Sequence, residues 1–419
     1  VGGQLTEPWE LGETSPPRRT ALPAPPSVRD LSASAHQAVS MIQQRAFSWL
    51  DRRVSAWPWW FLAVDAAITV AAVIVMTGVR FDSSFDQFLI PDSPDITVYH
   101  EFLDRFGNDK ALVIGIATDD PFAPRQIADL KALVSDLEAI PGVVKVYSLV
   151  SAPSIRGSDD TLHFAPPVTA SPENAAQRAA ILTRLANDPT LRDRLLSPDG
   201  ELLAVLVTLK PPGADRHMYE RITTAVRKRL AALGSATYLS GEPVIEADMN
   251  RYMRDDLEVF VPITLTLAAL CLLYLFRNRL GLLVPMGVIV ASSAWGIAAY
   301  ILAGRMVNSV TTMIPPLIMV IAASDSVHLL THYLVRVPEL GKKAAIEAML
   351  LRIGPGCFMT SLTTAIGFAS LTFSPIPALQ DFGQFSAIGV ICSFVISMTA
   401  VPAALHLLPT PTKVRITDS

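Results

Sequence analysis

The chain has 419 residues, 51% of them hydrophobic and only 17% charged, with a formal net charge of −4. With a mean hydropathy of +0.39, these values favour a multi-spanning membrane protein over a large soluble one. The basic residues form no patch with interleaved aromatics, which excludes a nucleic-acid partner. The three cysteines (Cys271, Cys357 and Cys392) all fall inside apolar segments, which argues against a disulfide framework.

Residues 1–38 are rich in Pro, Ala, Ser and Arg, as in Ser15-Pro-Pro-Arg-Arg-Thr20. They cannot bury enough apolar surface to offset their ordering entropy and read as a disordered tail. An amphipathic piece at 39–54, ending in Asp51-Arg-Arg53, is expected to lie on the membrane surface. The first apolar segment begins too late for a cleaved signal peptide, and an opening on Val1 rather than methionine fits a fragment boundary.

Six segments are long and apolar enough to cross about 30 Å of hydrocarbon: roughly 57–79, 258–276, 281–304, 308–333, 354–374 and 383–408. Trp57, Trp59 and Trp60 open the first, as in an interfacial belt. Arg45, Arg52 and Arg53 precede span one, and Arg277 and Arg279 join spans two and three. Arg336, Lys342, Lys343 and Arg352 join spans four and five, and Lys413 and Arg415 follow span six. All four groups fall on one side, with Arg305 alone in the short loops opposite, so the positive-inside rule makes both termini cytoplasmic.

Between spans one and two, residues 80–257 are expected to fold as one extracytoplasmic domain, since structureless connections of that length are rare. Strands are predicted at 111–117, 143–150, 201–209 and 236–239, with helices at 124–140 and 217–233. That order, strand–helix–strand twice over, suggests an α+β layer of the split βαβ type. The more polar stretch 166–195 is expected to add a helical insertion. The predicted fold class is thus a polytopic α-helical membrane protein of six transmembrane helices. One extracytoplasmic α+β domain lies between helices 1 and 2. Its parts are a tail and interfacial helix at 1–56, helix 1 at 57–79, the domain at 80–257, helices 2–6 at 258–410, and a cytoplasmic tail at 411–419.

Several stretches carry a family resemblance. Phe85-Asp-Gln-Phe-Leu89, Asp92-Ser-Pro-Asp95 and Phe102-Leu-Asp-Arg-Phe-Gly-Asn-Asp109 resemble the opening of the first porter domain in the resistance–nodulation–division (RND) superfamily, MMPL/Patched-like branch. Pro141-Gly-Val-Val-Lys-Val-Tyr-Ser148 is similar to the turn and strand that follow. Ser324-Asp-Ser-Val-His-Leu-Leu330 resembles the fourth-span motif. Ser361-Leu-Thr-Thr-Ala-Ile-Gly-Phe368, Pro377-Ala-Leu-Gln-Asp-Phe-Gly383 and Val401-Pro402 are similar to its fifth and sixth spans. Ser326 stands where many members have Tyr. The resemblance implies an exporter of hydrophobes in a bacterial inner membrane, with membrane lipids and a hydrophobic small molecule as partners. Members usually have twelve spans and two outside domains, so the six spans here imply a half. Its partner half would lie in the same chain or in another subunit.

Asp325 sits in the nearly chargeless stretch 318–334, where a carboxylate costs roughly 3 kcal/mol or more. Desolvation disfavours ionisation of a buried carboxylate and brings proton exchange toward physiological pH. On a helix, His328 and His332 share its stripe, and His328 is the natural relay partner. His332, beside Tyr333 and Arg336, reads as interfacial. The superfamily implies that the fourth-span acid takes up and releases protons. The alternative is a neutral Asp that ties spans four and five together. Ser326, Thr363 and Thr364 are relay or packing residues. Pro315 and Pro316 are either a hinge, through the freed carbonyls of Thr311 and Thr312, or tolerated prolines. Asp65, near the tryptophan cluster, is expected to snorkel to the interface or pair locally.

No metal-ligand spacing, phosphate loop, activated cysteine or cofactor motif is present in the sequence, so a secondary transporter driven by an ion gradient is expected rather than an enzyme. Two further readings stand beside proton-driven export. One is a SecD- or SecF-like accessory subunit of protein secretion, which shares the superfamily and has six spans. The other is a sterol-sensing-type lipid-binding module, which spans two to six also resemble.

Overall fold

Apolar length fixes which segments become long helices, and the polar residues beside them fix where those helices begin. The computed structural model describes residues 43–410, apart from 92, 108–109, 159–160, 189–190, 192, 212–214 and 216. The expected tails at 1–38 and 411–419, with Lys413 and Arg415, lie outside the described residues, as do Asp92, Asn108 and Asp109 of the quoted motifs.

A first helix, α1, covers 43–56 and docks on the rest of the protein through Phe47 and Val54, both buried. There follow α2 (Pro58–Met76), α3 (Pro94–Phe106), β1 (Ala111–Ala117), α4 (Pro124–Glu138), β2 (Val143–Tyr147), β3 (Ser154–Ser158), β4 (Thr161–Ala165) and α5 (Ala175–Asn187). The second half holds β5 (Leu202–Leu209), α6 (Met218–Leu230), β6 (Thr237–Ser240), α7 (Glu242–Phe276), α8 (Arg279–Leu302), α9 (Ile314–Leu340), α10 (Lys342–Ser370) and α11 (Pro377–Leu407). Six helices are long and apolar enough to cross a membrane: α2 and α7 to α11.

Strand order in the main sheet is β2-β5-β1-β6, and every pairing is antiparallel. This is the connectivity of a split βαβ unit. One face is apolar and closed: Leu112, Ile114, Leu203, Val205 and Val207 are all fully buried. The stripe Ile127, Leu130, Leu133, Val134 and Leu137 of α4 packs on that core, as does Ile222 and Val226 of α6. The β3–β4 hairpin and α3 were not among the predicted elements. Ser93 caps α3 by accepting from the Asp95 N–H, with Pro94 in its first turn.

The longest helix, α7, begins at Glu242 rather than near 258. Its first turns are polar and belong to the joint with the sheet domain; only its later turns are apolar. Lys110 pairs with both Glu242 and Glu246, Arg227 holds Asp248 through two bonds of 2.8 and 2.7 Å, and Arg254 meets Glu220 at 3.0 Å. At Gly241, just before the helix, φ is 125° and a Cβ would collide with the Ala111 carbonyl, so only glycine fits. The domain and span two thus share one unbroken helix. After α2 the chain adds a second tie: Asp82 N–H donates to Val307 O (2.9 Å), and Val307 N–H donates to Arg80 O (2.8 Å).

Within the bundle, α11 packs against α2, α8, α9 and α10. Gly389 of α11 and Gly296 of α8 face each other across Ile318 of α9; a Cβ at either would clash with that side chain. Small residues here let three helices close on one point. Lys342 Nζ donates to His406 O (2.7 Å) and Leu408 O (2.8 Å), which places the α9–α10 turn and the end of α11 together.

Candidate functional site

α9 carries the one carboxylate buried deep in the bundle. Asp325 is 6% exposed, and its Oδ2 has no hydrogen-bond partner among the described residues. Cys357 and Ser361 of α10 stand against it, and His328 acts on it from its own helix. Ser361 Oγ is itself buried, and its contact with Asp325, like that of Cys357, is too loose to satisfy the Oδ2 oxygen. Among the described residues, His328 is the one charged or titratable side chain that acts on it electrostatically.

The same bundle holds further buried hydroxyls without partners among the described residues: Ser292 on α8, Ser326 next to the acid on α9, and Ser386, Ser393 and Ser397 on α11. Each is nearly or fully excluded from solvent. Protein interiors leave few polar atoms orphaned, and such atoms mark places where water or a moving proton is accommodated.

The other residues singled out by sequence take different positions. Ser326 is fully buried beside Asp325. His328 lies one turn on but is exposed. His332 is half-buried, with Nδ1 unpartnered and Arg336 and Arg352 nearby. Thr364 is half-buried on the α10 stripe of Cys357 and Ser361, whereas Thr363 is exposed and donates to its own backbone at Met359 O (2.9 Å). Pro315 and Pro316 occupy the first turn of α9, after a short 3₁₀ turn at Thr311–Met313. A first-turn proline lacks only an N–H that the helix does not use. These prolines open α9 at its junction with the 3₁₀ turn and do not interrupt it.

A second feature had no signal in the sequence, because it is made by four separated segments. An almost wholly apolar cavity of about 360 Å³ lies between α2, α7, α8 and the start of α9. Val73 and Met76, Val261 and Leu265, Ile297, and Met319 line it in that order of helices. Its volume is in the range of small-molecule sites, and its lining suits an alkyl chain or fused-ring hydrocarbon. Met319 lies on the same helix as Asp325, less than two turns before it.

Asp65 is also placed differently from expectation. It does not reach out to the interface: its Oδ2 is 3.1 Å from Thr399 Oγ1 of α11.

The sequence model of the MMPL family matches residues 101–414, most of the chain. A membrane protein of Methanocaldococcus jannaschii is 24% identical over 375 residues, covering 84% of this chain and 92% of its own. The transport protein MmpL12 of Mycobacterium tuberculosis is 24% identical over 231 residues, covering 52% of this chain but only 20% of its own. Human protein patched homolog 2 is 32% identical over 115 residues, 27% of this chain and 10% of its own. The chain thus spans nearly the whole of the archaeal relative and about one fifth of MmpL12. It belongs to the MMPL family and, with its six apolar helices, is a multi-pass membrane protein.

Proposed function

We propose that this MMPL-family chain moves lipidic or amphipathic molecules, of sterol, hopanoid or acyl-lipid type, across or out of a bacterial inner membrane, using the proton gradient. The observation that carries the reading is the buried carboxyl of Asp325, with one oxygen unbonded, in a bundle that also holds unpartnered serine hydroxyls. An intramembrane acid is retained for a function by default, and proton exchange is the chemistry that such a site performs without cofactors. The apolar cavity supports the second half of the reading, a hydrocarbon substrate beside the same helix.

On this reading the sheet domain is extracytoplasmic, because the clusters of Arg and Lys lie at the opposite end of the bundle. Proton exchange at α9 is passed to that domain through α7, which runs unbroken from β6 into the bundle. A second six-span half, from the same polypeptide or another subunit, completes the transporter. The exposed side chain of His328 is then available to face it.

The test uses the protein purified with its natural partners and reconstituted in vesicles with an inward or outward pH gradient and a fluorescent acyl lipid. Gradient-dependent lipid movement is expected in the native protein and lost in Asp325→Asn, with lipid binding retained. The cavity alone favours one competing role, lipid sensing. Saturable binding with no gradient-driven movement in the native protein would establish that role and overturn ours.

A further inference from the structure

Span one is the least buried of the six, and Ala72 is the only buried residue of α2. What seats it on the bundle is therefore legible. Ala72 packs on Ala294 and Ala298 of α8, and two polar contacts lie closer to the α1 end. Trp295 Nε1 of α8 donates to Thr69 Oγ1 (3.0 Å), whose own hydrogen goes to the Asp65 carbonyl (2.7 Å). Thr399 of α11 meets the Asp65 carboxyl at 3.1 Å.

The hydrogen count at Thr399 is the informative part. Its hydroxyl has one proton but three oxygens within reach: Val395 O at 2.8 Å, Asp65 Oδ2 at 3.1 Å and Ile396 O at 3.3 Å. The shortest contact, to the carbonyl four residues back, is the usual one for a helical threonine. With that bond made, the Asp65 contact closes only if Asp65 carries a proton and donates it to Thr399 Oγ1.

No charge stands ready to hold the ionised form instead. α2 packs against α8 and α11. Their titratable side chains are Arg279 and Tyr300 on α8, and Asp381, Cys392 and His406 on α11; Asp51, Arg52 and Arg53 precede the span on α1. Cys392 lies two turns from Thr399 on the same stripe. None of these bonds to or acts on the Asp65 carboxyl, where Thr399 is the only side chain engaged.

We propose that Asp65 is a second proton-binding site in the membrane, separate from Asp325, whose occupancy sets the seat of span one. Protonated, it locks α2 to α11. Ionised, it leaves Thr399 for the aqueous end of the helix, about 10 Å away at 1.5 Å per residue from Pro58. The outer turns of α2, with Val73 and Met76, form one wall of the apolar cavity. Release of the lock therefore widens the gap between α2 and α7. The site stands whether or not Asp325 drives transport.

The test is a distance between spin labels on Ile74 of α2 and Ile263 of α7, both exposed, in bilayer-embedded protein with Cys271, Cys357 and Cys392 replaced by Ala. The expected result is a longer distance at high pH than at low pH. In Asp65→Asn, which cannot ionise, the short distance should persist at every pH; in Asp325→Asn the response should remain. Thr399→Val, a milder change, should move the midpoint by about half a pH unit or more. A distance independent of pH in the native protein, a response that survives Asp65→Asn, one abolished by Asp325→Asn, or an unmoved midpoint in Thr399→Val would each overturn the proposal. Loss of lipid movement in Asp325→Asn reads the transport account separately.

Discussion

In the sheet domain, β1 and β5 bury a continuous apolar face, and charged residues at the joint with α7 each meet an opposite charge. In the helical bundle the apolar core is just as closed, yet a carboxyl oxygen and a series of serine hydroxyls inside it have no partners. The two regions come from one chain and obey one rule, that buried polar groups cost free energy unless bonded. Both regions leave single polar atoms unbonded, such as Thr223 Oγ1 and Asn250 Oδ1 in the first, but only the second buries a carboxyl oxygen in that state among the described residues. On the proposed reading, that contrast gives the domain a mechanical task and the bundle a chemical one.

The largest expected effect breaks the comparison from the bundle side. Asp325→Asn should reduce gradient-driven lipid movement by a hundredfold or more while leaving thermal stability nearly unchanged or raised, because it removes a buried carboxyl with one oxygen unbonded and no salt bridge. Transport assays and melting curves on the same preparation check both halves; a large fall in melting temperature would make Asp325 a structural tie. In the sheet domain the opposite pattern is expected. Leu203→Ala, at a fully buried site, should cost about 2–5 kcal/mol of domain stability, read as lost hydrogen-exchange protection in β1 and β5.

A smaller effect sharpens the joint between the regions. Lys110→Met leaves Glu242 and Glu246 without their shared cation and should cost about 1–3 kcal/mol. Exchange should rise in the first turns of α7 and not in its apolar turns. The smallest effect concerns α1. Burial, with Glu347 nearby, raises the Asp51 carboxyl above its ordinary value, and Arg52 offsets part of this. A raised carboxylate weakens docking above its folded-state value, and the penalty disappears as pH falls below the ordinary carboxylate range. Protection of α1 from proteolysis should therefore increase on acidification, and Asp51→Asn should remove that dependence.

Much of this architecture is legible in the sequence where a single periodicity decides it. The five buried residues of α4 are those its helical spacing marks, and the apolar segments mark six long helices. The start of α7 was not legible, because Glu242 to Asp256 carries enough charge to read as domain surface while the helix simply continues. The start of α11 at Pro377 was hidden in the same way by Asp381. Asp325 stands out by its chemistry in an apolar run. Its neighbours Cys357 and Ser361, and the Thr399 partner of Asp65, are set by packing between distant segments, and no local pattern encodes them. The cavity is likewise a property of four helices together.

The central claim is that Asp325 exchanges protons inside the bundle. Infrared difference spectra of the bilayer-embedded protein, recorded across a pH titration, read protonated carboxyl groups directly. The account predicts a carboxyl band that appears on acidification, shifts in deuterium oxide, and loses one component in Asp325→Asn while the Asp65 component remains. A pH-difference spectrum identical in the native protein and in Asp325→Asn, with no component lost, would contradict it.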